Sequence, residues 1–208
     1  RLRRIDVDAT GFDIATMPFR LATNAVGDGR IRSLDVDLRG FTLANLPIRR
    51  FQASIPSCTF DFQRARSERN VFVVSAGIGT GEVEITPEAI ATYLTHKFRA
   101  IKDLTVRTRG GRLWARGVID LLEPHTFRIE ADIEVLDRRR FVLAHPDVML
   151  DGIPAGDELA RSLLRAINPV IDLDKDLHLG GSLLVDEVVV GATIVARGQA
   201  TLTPEVLR

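Results

Sequence analysis

A chain of 208 residues with 28 basic and 28 acidic side chains has no excess positive charge, which speaks against a nucleic-acid-binding protein. Apolar residues at 45% and charged residues at 27% mark an ordinary globular chain with a sizeable core. No apolar run approaches the ~20 residues of a membrane-spanning helix, and the single cysteine, Cys58, excludes an intrachain disulfide.

The chain opens on Arg1 rather than Met, and Arg1, Arg3 and Arg4 lead into a strand pattern. That reads as a processed or trimmed N-terminus, with any signal or anchor lying outside this sequence. A short helix is expected after Pro18-Phe19. Period-two alternation then dominates: Leu34, Val36 and Leu38, followed by Phe51, Ala53 and Ile55. Residues 70–78 are apolar on both faces, which predicts a central, doubly covered strand. Thr86 caps a helix, Pro87 fits its first turn, and Ile90, Tyr93, Leu94 and Phe98 form a stripe at helical spacing. Strands follow at Leu104 and Val106 and over 113–121. Residues 126–135 alternate strictly, with Phe127, Ile129, Ala131, Ile133 and Val135 on the dry side. A second helix starts at Asp157, carries Leu159, Leu163 and Ile167 on one face, and ends at Asn168-Pro169. A last alternating run covers 183–190.

Short turn signals separate these runs, at Gly27-Asp28-Gly29, Gly110-Gly111, residues 137–140, Gly180-Gly181 and Gly191. Such spacing leaves no room for parallel crossovers, so the sheet is expected to be antiparallel. The fold class is α+β: a strongly curved, mostly antiparallel sheet of about ten strands wrapped on two main helices. The segment 31–40 echoes 101–110 in its Ile, Leu, Val, Arg and Gly positions. The chain is therefore read as one domain, 1–208, with two sheet-plus-helix halves (about 1–100 and 101–208) as the alternative arrangement.

An area argument points to a ligand. About ten strands of about eight residues present an apolar face on the order of 1,200 Å². Two helices of about twelve residues cover roughly 360 Å² of it. The remainder exceeds what a soluble monomer leaves bare, so the sheet must curl, close, pair with a second copy or hold something apolar.

Side chains that could carry chemistry have plainer readings. His96, His125, His145 and His178 lack metal-ligand spacing with one another or with Cys58, which reads as a small core filler. Asp172, Asp174 and Asp176 imitate a calcium loop, but Leu177 stands where that loop needs glycine and Leu183 where it needs glutamate. A solvated loop or strand face is expected there. Gly77, Gly79 and Gly81 precede a strand rather than a helix, which predicts a bulge or hairpin and no phosphate cradle. Arg138-Arg139-Arg140 and Arg64, Arg66 and Arg69 read as solvated hairpin tips, with anionic lipid headgroups as the functional alternative. No nucleophile or acid–base pair is grouped, so no enzyme, cofactor or metal is expected.

The order of these features resembles the LmeA-like phospholipid-binding proteins of bacterial cell envelopes. It rests on Pro18-Phe19, then Gly29 with Ile31 and Val36, then Ile85-Thr86-Pro87 before a helix. Leu104 and Val106, the Gly110-Gly111 turn and the strand around Gly117 follow. Pro154, the second helix, Asn168-Pro169, the run 183–190 and Arg197-Gly198 close the series. Residues 172–180 depart from that pattern. The resemblance implies a fold similar to tubular lipid-binding folds, a location in the periplasm or cell envelope behind an N-terminal anchor, and a phospholipid or other acyl-chain ligand in a hydrophobic groove. The wall residues expected from the stripes and strands are Ile90, Leu94, Phe98, Trp114, Phe127, Ile129, Leu159, Leu163 and Ile167. The expected partners are that ligand and a membrane surface, with no nucleic acid. A homodimer, or a structural domain that buries its apolar face on a partner, is the competing reading; a lipid hydrolase or transferase is a third.

Overall fold

A computed structural model describes residues 20–26, 30–61, 63, 67, 73–120, 123–179 and 181–202. Within them the architecture is α+β, with mostly antiparallel strands, two helices and sheets that do not close into a barrel. In chain order the elements are β1 (Arg20–Val26), β2 (Arg30–Leu43), β3 (Leu46–Phe60), β4 (Val73–Ser75), β5 (Gly79–Ile85), helix α1 (Pro87–Lys97), β6 (Ile101–Arg109) and β7 (Arg112–Asp120). Then come β8 (Pro124–Leu136), β9 (Arg140–Leu150), β10 (Ile153–Pro154), helix α2 (Asp157–Ile167), β11 (Ile171–Asp172), β12 (Leu183–Val190) and β13 (Ile194–Ala200).

These thirteen strands build two sheets, where one of about ten was expected. The first runs β1-β2-β3-β5-β13-β12, with β4 also on β3; the second runs β10-β9-β8-β7-β6, with β11 also on β9. The break falls at α1, which leaves β5 and delivers the chain to β6 in the other sheet. The last hairpin, β12–β13, returns to the first sheet beside β5, so the first sheet draws on both halves of the chain while the second is built from residues 101–172. A backbone bond from Val185 N–H on β12 to the Arg138 carbonyl at the β8–β9 turn (2.8 Å) ties the sheets together at one side. At the other, α1 packs against both β3 and β6.

Period-two alternation explains the layering. Along β8, Phe127, Ile129 and Ala131 are buried while Thr126, Arg128 and Glu134 are exposed. Along β3 the alternation holds only in stretches, the buried side changing parity from Leu46 and Ile48 to Ala53 and Ile55 and again to Cys58 and Phe60. The apolar sides of both sheets join one core with the helices. Much of the surplus apolar area is therefore hidden by the second sheet.

Two local expectations fail for identifiable reasons. Residues 20–26 continue a strand, not a helix, because β1 pairs antiparallel with the edge of β2; Pro18 and Phe19 themselves lie outside the described residues, as does the turn at 27–29. The described part of the 70–78 segment is no central strand: β4 pairs only with the end of β3, and Val74 and Ile78 are 59% and 69% exposed. On that β3 edge β5 covers Arg50–Ser54, so β4 is its continuation beyond a break at 76–78. Glycine is required at the break because a Cβ on Gly79 would sit 1.9 Å from the Ser54 carbonyl oxygen.

Candidate functional site

Between the sheets lies a hollow walled by twenty side chains, all of them apolar. Helix α1 and its cap contribute Ile90, Leu94 and Phe98, and α2 contributes Leu163 and Ile167. The second sheet supplies the largest share: Leu113, Ala115 and Ile119 from β7, Phe127, Ile129 and Ile133 from β8, and Phe141 and Leu143 from β9. Ile85 from β5 and Ile194 and Ala196 from β13 close the opposite side. The space between these walls, counting narrow clefts and any part open to solvent, is about 950 Å³, but only about 60 Å³ of it admits the centre of a water-sized sphere. That would suffice for a few waters by volume, yet a wall with no polar partner keeps such a space dry.

The hollow has a sequence cause. Ala115 and Ala196 are small where β7 and β13 face it, and Gly117 leaves room for the Phe127 ring, which an added Cβ would approach to 3.1 Å. Helix α1 is firmly placed. The Thr86 hydroxyl accepts the Ala89 N–H at 3.2 Å, and Ala89, Ile90, Ala91, Tyr93 and Leu94 are buried. By contrast, α2 buries only Leu163 and begins at Gly156 without a side-chain cap bond. It lies along β9, where the Asn168 amide receives the Leu143 N–H (2.9 Å) and donates to the Leu143 carbonyl (3.0 Å).

Of the nine expected wall residues, Ile90, Leu94, Phe98, Phe127, Ile129, Leu163 and Ile167 meet around this hollow. Trp114 does not. It is even-numbered on a strand whose odd positions 113, 115 and 119 face inward, and it lies half-buried on the outer face with the Arg128 guanidinium 6.0 Å from its ring centre. Leu159 is also apart, 43% exposed near the start of α2, a turn before the helix reaches the core through Leu163.

The Asp172–Asp176 loop is not a solvated face. Asp172 is 5% exposed, and its carboxylate accepts the N–H groups of Asp174 and Lys175, both at 3.0 Å. Asp176 meets Lys97 Nζ of α1 at 2.5 Å and the Asp172 N–H at 2.8 Å, while Lys97 also donates to the carbonyls of Pro169 and Val170. Burial alone would raise Asp176, but the hydrogen bonds from Lys97, the Asp172 N–H and Tyr93 outweigh it and hold its pKa below the ordinary value. The same burial, with the Asp176 carboxylate beside it, pushes Tyr93 up. This clasp fixes the end of α1 against the segment that follows α2; its partners are 79 positions apart, so spacing carried no sign of it.

The basic tip at 138–140 is committed to folding. Arg138 pairs with Asp186 at 2.5 Å, Arg139 with Asp174 at 2.8 Å, and Arg140 with Asp137. Each arginine of the tip is thus paired with a carboxylate, while all three side chains stay partly exposed. Arg64, Arg66 and Arg69 lie outside the described residues. His125 bonds Asp151 at 2.8 Å and His145 bonds Asp132 at 3.1 Å, both on the surface. Among the described residues no group of three or more His, Cys, Asp or Glu could hold a metal ion. Cys58 is 1% exposed on β3, and burial pushes its thiol up.

Compared with protein-family models, curated proteins and solved structures, the chain finds no match.

Proposed function

We propose that this chain is a non-catalytic carrier that holds a phospholipid or another acyl-chain ligand between its two sheets, at the bacterial cell envelope or in the periplasm. The observation that carries the reading is the wholly apolar hollow shared by α1, α2 and both sheets. Each methylene moved from water into such a wall gains about 0.8 kcal/mol, and no polar wall group needs a partner from the ligand. The order of sequence features, similar to that of LmeA-like proteins, supports the same reading.

The hollow at rest is narrow beside the ~300–1,000 Å³ of common ligand pockets. Uptake of a chain therefore requires a wall to give way, and α2 is the wall held by the fewest buried side chains. The headgroup then remains outside, where Ile153 and Leu159 are 69% and 43% exposed at the α2 end.

Native mass spectrometry of the delipidated protein after exposure to phospholipid vesicles tests the proposal. The carrier reading expects discrete mass increments of whole lipids, lost in Leu94→Glu, which puts a charge into the wall. Increments absent from the wild type, or retained in a folded Leu94→Glu, contradict it.

A second reading, an interaction domain that pairs with a copy or an envelope partner, is favoured by β4. This strand pairs only with β3 among the described residues and exposes Val74 with Ile78 beyond it. Sedimentation separates the two readings, because a tight lipid-free dimer favours the second.

A further inference from the structure

The outer face of the second sheet carries a charge arrangement that folding itself disfavours. Arg116 on β7 is the register partner of Arg128 on β8, and like charges directly opposite one another destabilise a sheet. One pair along, Arg107 on β6 stands opposite Trp114. All three arginines are exposed, and no carboxylate among the described residues pairs with any of them. Several other sheet cations are matched, Arg112 with Glu130, Asp132 and Asp147, Arg50 with Asp37 and Arg197 with Glu82. Arg32 and Arg109, by contrast, stand exposed and apart from one another, without an apolar neighbour such as Trp114 in register. Trp114 lies half-buried beside the three, with Glu130, already paired with Arg112, as its register partner on β8, and Val118 and Met149 extend the half-buried apolar ground beside it.

We infer that this face docks the protein on a bilayer containing anionic phospholipid. Unmatched guanidiniums attract anionic headgroups, and an indole flanked by cations is suited to the headgroup level. Three cations on a chain of zero net charge fit a headgroup layer better than a nucleic acid, whose affinity grows with the number of phosphates neutralised. The strands involved are those that wall the hollow. Arg116 stands between Ala115 and Gly117, and Arg128 between Phe127 and Ile129, so docking brings the hollow within one sheet thickness of the bilayer. The inference deepens the carrier reading but stands on separate residues.

Trp114 is the only tryptophan of the chain, so its fluorescence reports this face directly. Titration with vesicles of phosphatidylcholine, alone or mixed with phosphatidylglycerol, is expected to blue-shift the emission and shield it from iodide only with the anionic mixture, less so as salt is raised. Arg116→Ser combined with Arg128→Ser is expected to weaken vesicle binding about thirtyfold, while Arg32→Ser, an exposed arginine of the first sheet, leaves it unchanged. Should the double variant fail to fold, Arg107→Ser together with the salt dependence of the wild type takes its place. Leu94→Glu is expected to retain vesicle binding while losing lipid uptake, which separates the docking face from the hollow. Equal binding to neutral and anionic vesicles, an unaffected double variant, or a Trp114 response to single-stranded RNA or an acidic protein in place of vesicles overturns the inference.

Discussion

Lys97, Tyr93 and Asp176 do the work of a disulfide that the chain cannot form, tying α1 to the loop that precedes β12. Removing the carboxylate leaves a partly buried ammonium and a buried phenol short of a partner, so Asp176→Asn is expected to cost about 2 kcal/mol in denaturant unfolding. The sign of the pH effect follows from the lowered pKa. The contribution of Asp176 is complete above its ordinary value of 3.8 and is lost as pH falls through the folded value. Melting temperature measured against pH should therefore fall more gently on the acid side for the variant than for the wild type. Cys58 offers a second check at this scale: with its thiol buried and its pKa raised, it should react with a thiol reagent only as fast as the protein unfolds. Fast labelling of the native chain contradicts its placement on β3. Cys58 as core filler was readable from its strand-like neighbours, whereas the clasp was not. Nothing local marks Asp176 as the partner of a lysine on another element, and its failed calcium-loop spacing drew attention to the wrong chemistry.

The elements were legible wherever one local signal dominated. Thr86 and Pro87 announced α1, and the strict alternation of 126–135 announced β8 together with its inward face. Residues 70–78 misled because apolar content on both faces marks a strand without saying what covers it, and β4 turned out to sit at an edge. Trp114 was misplaced for a similar reason: an aromatic suggests core, but parity with Leu113 and Ala115 decides its side. The two helices differ in how they are held, and this predicts their motion. Amide hydrogen exchange should be faster across 157–167 than across 87–97, since α2 buries one side chain and α1 six. Leu163→Ala removes that one anchor at a cost of about 2 kcal/mol and should accelerate both exchange in α2 and lipid entry. Slower entry in this variant contradicts α2 as the moving wall.

At the scale of the whole molecule, the area argument survives in a reduced form. The strands do supply more apolar surface than two helices can hide, yet most of the surplus is taken up by packing one sheet toward the other across α1. Antiparallel strand pairing could be read from turn spacing; the division into two sheets and the return of β12–β13 could not, because the choice of neighbour for β5 is a long-range event. What the packing leaves over is the dry hollow. Its size depends on small residues, so Ala115→Leu is expected to keep the fold, at a cost of no more than about 1–3 kcal/mol, and to reduce lipid uptake; unchanged uptake argues that the ligand lies elsewhere. The most direct measurement is a crystal structure of the protein soaked or purified with phospholipid. The carrier account predicts continuous elongated density between α1 and β8, in contact with Leu94, Phe127 and Leu163. A closed core there, with lipid absent or bound only on the outer surface, contradicts it.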